Sequence, residues 1–277
     1  MIKLVVSDLD GTLLDDLKNV SEKNKLAISK LEENNIKFCI ATGRLDASAR
    51  FIERKLEREY DIISCNGALI KESKSNKTLY RKPIDINTAI DLTRILDKLD
   101  VKYHFYTENS VFSKTLSNSA LCYHEQNLEE ENQEGKIHII ISDDMIKSVN
   151  ESSDILKFIV FLENDSKRVE VLETLKDIKK IEISQSTSNN IEIMSEGVSK
   201  GNAVKFISEI YKIDKSEVMV IGDQMNDLSM FDSADIKVAM ESGSETLQNL
   251  ATLITKSNNE HGVAYAIDKV IFERKSE

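Results

Sequence analysis

Positive charge, proline, paired cysteines and long apolar runs are what this chain has little of. Across 277 residues, 37 Lys and Arg stand against 48 Asp and Glu, a net charge of −11. A surface of that sign repels phosphate backbones and anionic headgroups, so neither nucleic acid nor a membrane is expected as a partner. A small anionic substrate stays open, because distant surface charge is screened within about 8 Å while cations inside a site act at contact. No run of ~18 apolar residues occurs, and Met1-Ile2-Lys3 leads straight into a strand. Neither a transmembrane helix nor a signal peptide is therefore expected. Cys39, Cys65 and Cys122 are scattered with no C-x-x-C pair, the pattern of reduced thiols in a cytoplasmic protein. His104, His124 and His138 lack metal-ligand spacing and are given no role. The absence of any G-x-x-x-x-G-K-[ST] loop argues against a nucleotide kinase.

What is present is alternation. Apolar runs and helix-period stretches predict a strand at 2–7, a helix at 21–34, a strand at 36–41, a helix at 46–58 and a strand at 61–65. Strand and helix in turn build right-handed βαβ units and a parallel sheet. Residues 68–70 and 78–81, separated by a polar stretch, read as a hairpin, and the only proline, Pro83, follows at once. Because it drives Lys82 out of helical geometry, Pro83 marks a domain boundary. Residues 83–189 then read as an inserted α/β module: a helix at 88–99, a strand at 101–106, an apolar run at 137–141, a strand at 156–162, a helix at 166–175 and a strand at 181–185. Gln126 to Glu134 is rich in acids and amides and reads as a solvated segment. The first unit resumes at Asn190 with Ile191-Glu192-Ile193-Met194 and runs through strands at 217–221 and 236–239 to a helix after His261. The 40% apolar content is enough to fill both cores.

Four short motifs carry chemistry, each at or near the end of an expected strand. In Ser7-Asp8-Leu9-Asp10-Gly11-Thr12, two carboxylates leave a buried strand on the same side of an extended chain, which suits phosphoryl transfer through an aspartate. A hydroxyl and free N–H groups at Thr42-Gly43-Arg44 suit an anionic oxygen at a helix start. Lys200, in Gly197-Val198-Ser199-Lys200-Gly201, opens a helical pattern and can neutralise phosphate and carboxylate charge. In Gly222-Asp223-Gln224-Met225-Asn226-Asp227, carboxylates four apart can supply a hard oxygen ligand and a supporting acid for Mg2+. Alone, the first motif could also be a calcium loop or a turn, and the other three are at least as readily a turn, a solvated lysine or helix caps. Their common place at carboxyl ends, where open α/β sheets bind ligands, is what independent caps do not produce.

In their order and spacing, Asp8–Leu14, Ala41–Arg44, Asn66–Ala68, Gly197–Gly201 and Gly222–Asp227 resemble the haloacid dehalogenase superfamily, specifically its Cof-like sugar-phosphatase subgroup, over essentially the whole chain. The resemblance implies a Rossmann-like core at 1–82 and 190–277 and an inserted α/β cap at 83–189 that reads the substrate. It implies that Asp8 is the nucleophile and Asp10 the general acid and base. Mg2+ would be held by Asp8, the backbone carbonyl of Asp10 and Asp223, with Asp227 supporting the metal and the lysine. Thr42, Gly43, Arg44, Lys200 and Asn226 would bind the transferring phosphoryl group of a small phosphorylated metabolite. A phosphomutase of the same architecture, or a sensor of phosphorylated metabolites, are the alternatives. One departure is visible: after Val238-Ala239-Met240, where the family continues Gly-Asn-Ala, the chain reads Glu241-Ser242-Gly243.

Overall fold

The computed structural model describes residues 1–73 and 75–273. In chain order the first elements are β1 (Leu4–Ser7), α1 (Glu22–Glu33), β2 (Lys37–Ala41), α2 (Asp46–Arg54), β3 (Asp61–Ser64), β4 (Leu69–Lys71) and β5 (Thr78–Arg81). There follow α3 (Ile86–Lys98), β6 (Lys102–Tyr106), β7 (Ser110–Ser113), α4 (Asn118–Glu129), β8 (His138–Ile141), α5 (Met145–Glu151), β9 (Lys157–Phe161), α6 (Asp165–Leu175), β10 (Ile181–Ser184) and β11 (Asn190–Ser195). The last are α7 (Lys200–Tyr211), β12 (Val218–Gly222), α8 (Leu228–Phe231), β13 (Ile236–Ala239), α9 (Glu245–Leu250), β14 (Leu253–Ile254) and α10 (Gly262–Ile267).

These strands form two sheets, one of eight strands in the order β14-β13-β12-β1-β2-β3-β4-β5 and one of six in the order β10-β11-β9-β6-β7-β8. In the first, β1 lies parallel between β12 and β2, with Ser7 opposite both Ile221 and Ile40. The chain moves outward through β2 and β3, then returns on the other side of β1 as β12, so strand order reverses beside β1. Such a reversal opens a crevice at the carboxyl edge. The expected hairpin is β4 and β5, antiparallel and attached to β3.

The apolar residues of β1 and β2 alternate between two layers, as the pleat requires. Val5, Phe38 and Ile40 pack with α1, α2 and α10, while Leu4, Val6 and Cys39 pack with α7 and α8. In the second sheet, Phe105, Phe158 and Val160 pack against α3, α5 and α6. Its other face meets the first unit: Tyr106, Tyr123, Ile159 and Met194 share one buried layer with Leu45, Cys65 and Leu69. The two sheets are thereby closed against each other.

Three sequence expectations are corrected. The stretch 190–195 does not resume the first sheet but is β11 of the second, antiparallel to both β9 and β10. Only five residues separate it from β10, and so short a link can only return the chain antiparallel beside its predecessor. The crossing back to the first sheet therefore falls at 196–199. Helix α2 ends at Arg54 rather than 58, with Glu57 in the left-handed region at φ 59°. The acidic segment is not wholly solvated: α4 runs through Glu129, Gln126 accepts a hydrogen bond from Ser48, and Glu130 is buried and paired with Arg54.

Candidate active site

The register of the first sheet brings three exits together. Asp8 leaves β1 with its N–H donated to Ile221 O at 3.0 Å, and Thr42 leaves β2 with its N–H on Ile63 O at 2.8 Å. On the far side of β1, β12 ends at Gly222, so Asp223 begins the third exit. Helix α7 supplies the fourth component. The Ser199 hydroxyl caps it by accepting from Asn202 N, which puts Lys200 at the first helical position, where its side chain reaches back to the strand ends.

Lys200 is fully buried, and its Nζ donates to Asp8 Oδ1 at 2.8 Å and to Asp227 Oδ1 at 2.6 Å. The other oxygen of Asp227 accepts the N–H groups of Asp223 at 2.9 Å and Gln224 at 3.1 Å. Asp227 is thus fully engaged, closing the 223–227 turn and holding the lysine. Asp223 Oδ1 accepts from the Thr12 hydroxyl at 2.8 Å. A Cβ on Gly11, whose φ is +80°, would stand 2.3 Å from Asp223 Oδ2, so only glycine lets the first loop turn so close to the third.

Carboxylate oxygens of Asp8, Asp223 and Asp227 lie within 4.8 Å of one another, all three residues buried. Burial, then the charge of Asp227, raises the Asp8 carboxyl well above its ordinary range despite Lys200. The same two causes push Asp223 up to about 6. Burial alone would lower the Lys200 ammonium, but Asp227 and Asp8 outweigh it and raise it. An all-oxygen donor set, crowded with negative charge that one ammonium does not balance, fits a hard divalent cation such as Mg2+. Asp8 and Asp223 keep oxygens for one, while Asp227 does not.

Asp10 stands apart from this cluster. Its carboxylate takes a bidentate grip from Arg44, Nε to Oδ2 and Nη2 to Oδ1 both at 2.7 Å, with Lys18 Nζ at 2.9 Å. Desolvation would raise it, but Arg44 and then Lys18 hold it below the usual carboxylate range. Its side chain is still 40% exposed, so these contacts are partly screened by water. Arg44 thus grips Asp10 with Nε and Nη2, and its Nη1 donates to the Ser48 hydroxyl at 3.3 Å. Thr42 is buried, and its hydroxyl accepts the N–H of Arg44 at 3.1 Å, leaving its own proton to donate. Asn226 donates to Asn66 Oδ1 at 3.3 Å, while its own buried Oδ1 has no partner among the described residues.

Sequence reasoning assigned Asn66 no role beyond its motif. It sits at φ 56° in a turn bonded through its N–H to Thr42 O at 3.0 Å, and its Nδ2 donates to Glu192 Oε2 at 2.8 Å. Glu192 and Lys157 were missed altogether, although each is a lone charge inside an apolar strand, a signal that a buried partner exists. The unusual Glu241-Ser242-Gly243 turn runs beside the third exit. Ser244 N donates to Asp223 O at 2.8 Å, a Cβ on Gly243 would meet the same oxygen at 2.8 Å, and the Glu241 side chain is exposed.

A family profile described as haloacid dehalogenase-like hydrolase matches residues 5–267. Among similar proteins of Bacillus subtilis, the 5-amino-6-(5-phospho-D-ribitylamino)uracil phosphatase YcsE is 30% identical over 266 residues, covering 96% of this chain and 94% of its own. Phosphatase YwpJ is 27% identical over 292 residues, covering 98% of this chain and 100% of its own. The fold matches a haloacid dehalogenase-like hydrolase structure from B. subtilis with a TM-score of 0.87 at 24% identity, over 98% of this chain and 100% of that one. It also matches a subclass IIB sugar phosphatase at 0.77 and 22% identity, over 96% and 98%.

Proposed function

The chain belongs to the haloacid dehalogenase-like hydrolases and is a phosphatase acting on phosphorylated substrates, and on that footing we propose that it hydrolyses a small phosphorylated metabolite with Mg2+ through an aspartyl-phosphate at Asp8. What supports this reading is one observation: Asp8, at the switch point of the sheet, shares a buried lysine with Asp227 while Asp223 and the Thr42 loop converge on it.

Asp8 attacks phosphorus with a carboxylate oxygen as the bond to the leaving oxygen breaks, and Asp10 gives that oxygen its proton. Asp10 then takes a proton from the water that attacks the same phosphorus, restoring the free Asp8 carboxylate. Lys200, the Thr42 hydroxyl and the Asn226 amide bind the equatorial oxygens, where negative charge spreads in the transition state. Asp8, Asp223 and the Asp10 carbonyl would hold Mg2+, which when bound neutralises the repulsion between nucleophile and phosphate. For Asp10 to carry a proton, the Arg44 fork must release an oxygen. An arriving dianion near Thr42–Arg44 competes for that guanidinium and favours release.

The test is phosphate release in water from a panel of phosphorylated metabolites with Mg2+, for wild type and Asp8→Asn. Turnover should fall below about 1% in the variant, a barrier increase of at least ~2.7 kcal/mol, and EDTA should abolish the wild-type rate. Retained activity in Asp8→Asn would move the nucleophile elsewhere.

A further inference from the structure

Lys157 on β9 and Glu192 on β11 are 1% and 2% exposed, and both point from the second sheet toward the first. Lys157 Nζ donates to Glu192 Oε1 at 2.7 Å and to the carbonyl of Gly43 at 2.6 Å, with the Tyr106 ring centroid 5.0 Å away. Through its second oxygen Glu192 accepts from Asn66, which in turn accepts from Asn226. A Cβ on Gly43 would meet all three partners, Asn66 Oδ1 at 3.1 Å, Glu192 Oε1 at 3.2 Å and Lys157 Nζ at 3.4 Å. We propose that Lys157 and Glu192 are positioning residues, which set the Thr42-Gly43-Arg44 loop and the Asn66–Asn226 pair for phosphoryl binding only while the two sheets are closed on each other. This inference rests on the reading that the loop and Asn226 bind the phosphoryl group.

Energetics argue against a purely structural role. Two desolvated charges stabilise a fold no better than apolar side chains of the same size, and often less well. What the pair supplies that apolar residues would not is orientation. The C=O of Gly43 and the N–H of Arg44 share one peptide plane and point opposite ways. An ammonium on that carbonyl therefore fixes the N–H against the Thr42 hydroxyl and aims the hydroxyl proton outward. Glu192 is the member that keeps this ammonium in place. Burial would raise its carboxyl, but Lys157, with hydrogen bonds from Lys157 and Asn66, lowers it, so it stays charged beside the lysine.

The experiment compares wild type, Lys157→Met and the double variant K157M/E192Q, which removes both charges yet keeps an acceptor for Asn66. Lys157→Met leaves an unpaired buried carboxylate and should lower the melting temperature. Adding Glu192→Gln should restore the melting temperature without restoring activity. The double variant should keep kcat/KM for para-nitrophenyl phosphate at least about tenfold below wild type, with the Ki of inorganic phosphate raised by a similar factor, the scale expected for a misplaced binding loop. Recovery of kcat/KM and Ki to within about twofold of wild type, together with stability, would overturn the proposal. If the double variant does not fold, Glu192→Asp decides. Its shorter reach should accelerate amide hydrogen exchange at 42–44 while circular dichroism is unchanged, and unaltered exchange would refute the pair's role. Exchange needs no turnover, so a failure of the Asp8 assignment, read from Asp8→Asn, is separable from a failure of this one.

Discussion

The buried site sets three acidic side chains within 4.8 Å of one another and pairs two of them, Asp8 and Asp227, with the ammonium of Lys200, so Lys200 carries more of the charge balance than any single acid. Replacing it by Met leaves Asp8 and Asp227 without their cation, a loss of about 3–5 kcal/mol for breaking a buried pair. Thermal melts should show Lys200→Met strongly destabilised in EDTA and partly recovered by Mg2+, whose charge answers the same carboxylates. Equal melting of variant and wild type in EDTA would contradict this balance. A second residue carries a pH effect. His104 Nδ1 pairs with the Ser119 hydroxyl at 2.8 Å, its ring lies edge-on to Phe161, and burial lowers it to about 4. The unfolded chain takes up a proton near pH 6.5 that the folded chain refuses until about 4, so stability falls as pH drops through that window. The loss amounts to up to about 3 kcal/mol. Urea titrations at pH 7 and 4.5 should show that slope, and its reduction in His104→Gln.

Among elements, α7 is the one whose placement decides the site. It packs so closely on α8 that a Cβ on Gly201 would stand 1.9 Å from Ser229 O, and Gly201 N donates to the Ser229 hydroxyl at 3.0 Å. Gly201→Ala must push the first turn of α7 away and carry Lys200 with it. The expected result is a loss of about 1–3 kcal/mol in urea unfolding, with kcat/KM falling as well. Unchanged stability in that variant would mean the helices have slack the packing does not show. The Gly197-Val198-Ser199-Lys200-Gly201 motif is thus a packing motif as much as a charge motif, and Ser199 caps what Gly201 allows to approach.

On the scale of the molecule, the proposed reading divides chemistry and selection between the two sheets. Asp8, Asp10, Thr42, Lys200 and Asp223 all come from the first sheet and its helices, while the second sheet contributes Lys157, Glu192, Gln126 and the Tyr106 layer above them. Exchanging 83–195 for the matching segment of a relative should redirect metabolite preference. Hydrolysis of para-nitrophenyl phosphate should change less once Lys157 and Glu192 are retained in the donor, by under about tenfold or ~1.4 kcal/mol. A folded chimera that keeps the original ranking of metabolites would assign selection to the first unit instead, with the Glu241-Ser242-Gly243 turn the first place to look.

The sequence by itself determined the strand ends and what they carry. Apolar runs ending in D-L-D-G-T, T-G-R and G-D-Q-M-N-D are local patterns, and a parallel sheet brings the carboxyl ends of neighbouring strands to one edge whatever the rest of the chain does. Legible too was the hairpin before Pro83, because turn chemistry is local. The tertiary structure decided what depends on pairing between distant segments. Which sheet took 190–195 followed from a five-residue link and an antiparallel ladder, not from its apolar pattern, which suits either sheet. Helix α4 escaped detection because Leu121 and Leu128 face outward and blur its stripe, although Tyr123 is buried. Arg44 was read as a phosphate ligand, and only the fold brings Asp10 within reach of both its guanidinium and Lys18. Lys157 and Glu192 were visible as charges in apolar strands, but that they answer each other across 35 residues and close on Gly43 is a fact of three-dimensional contact.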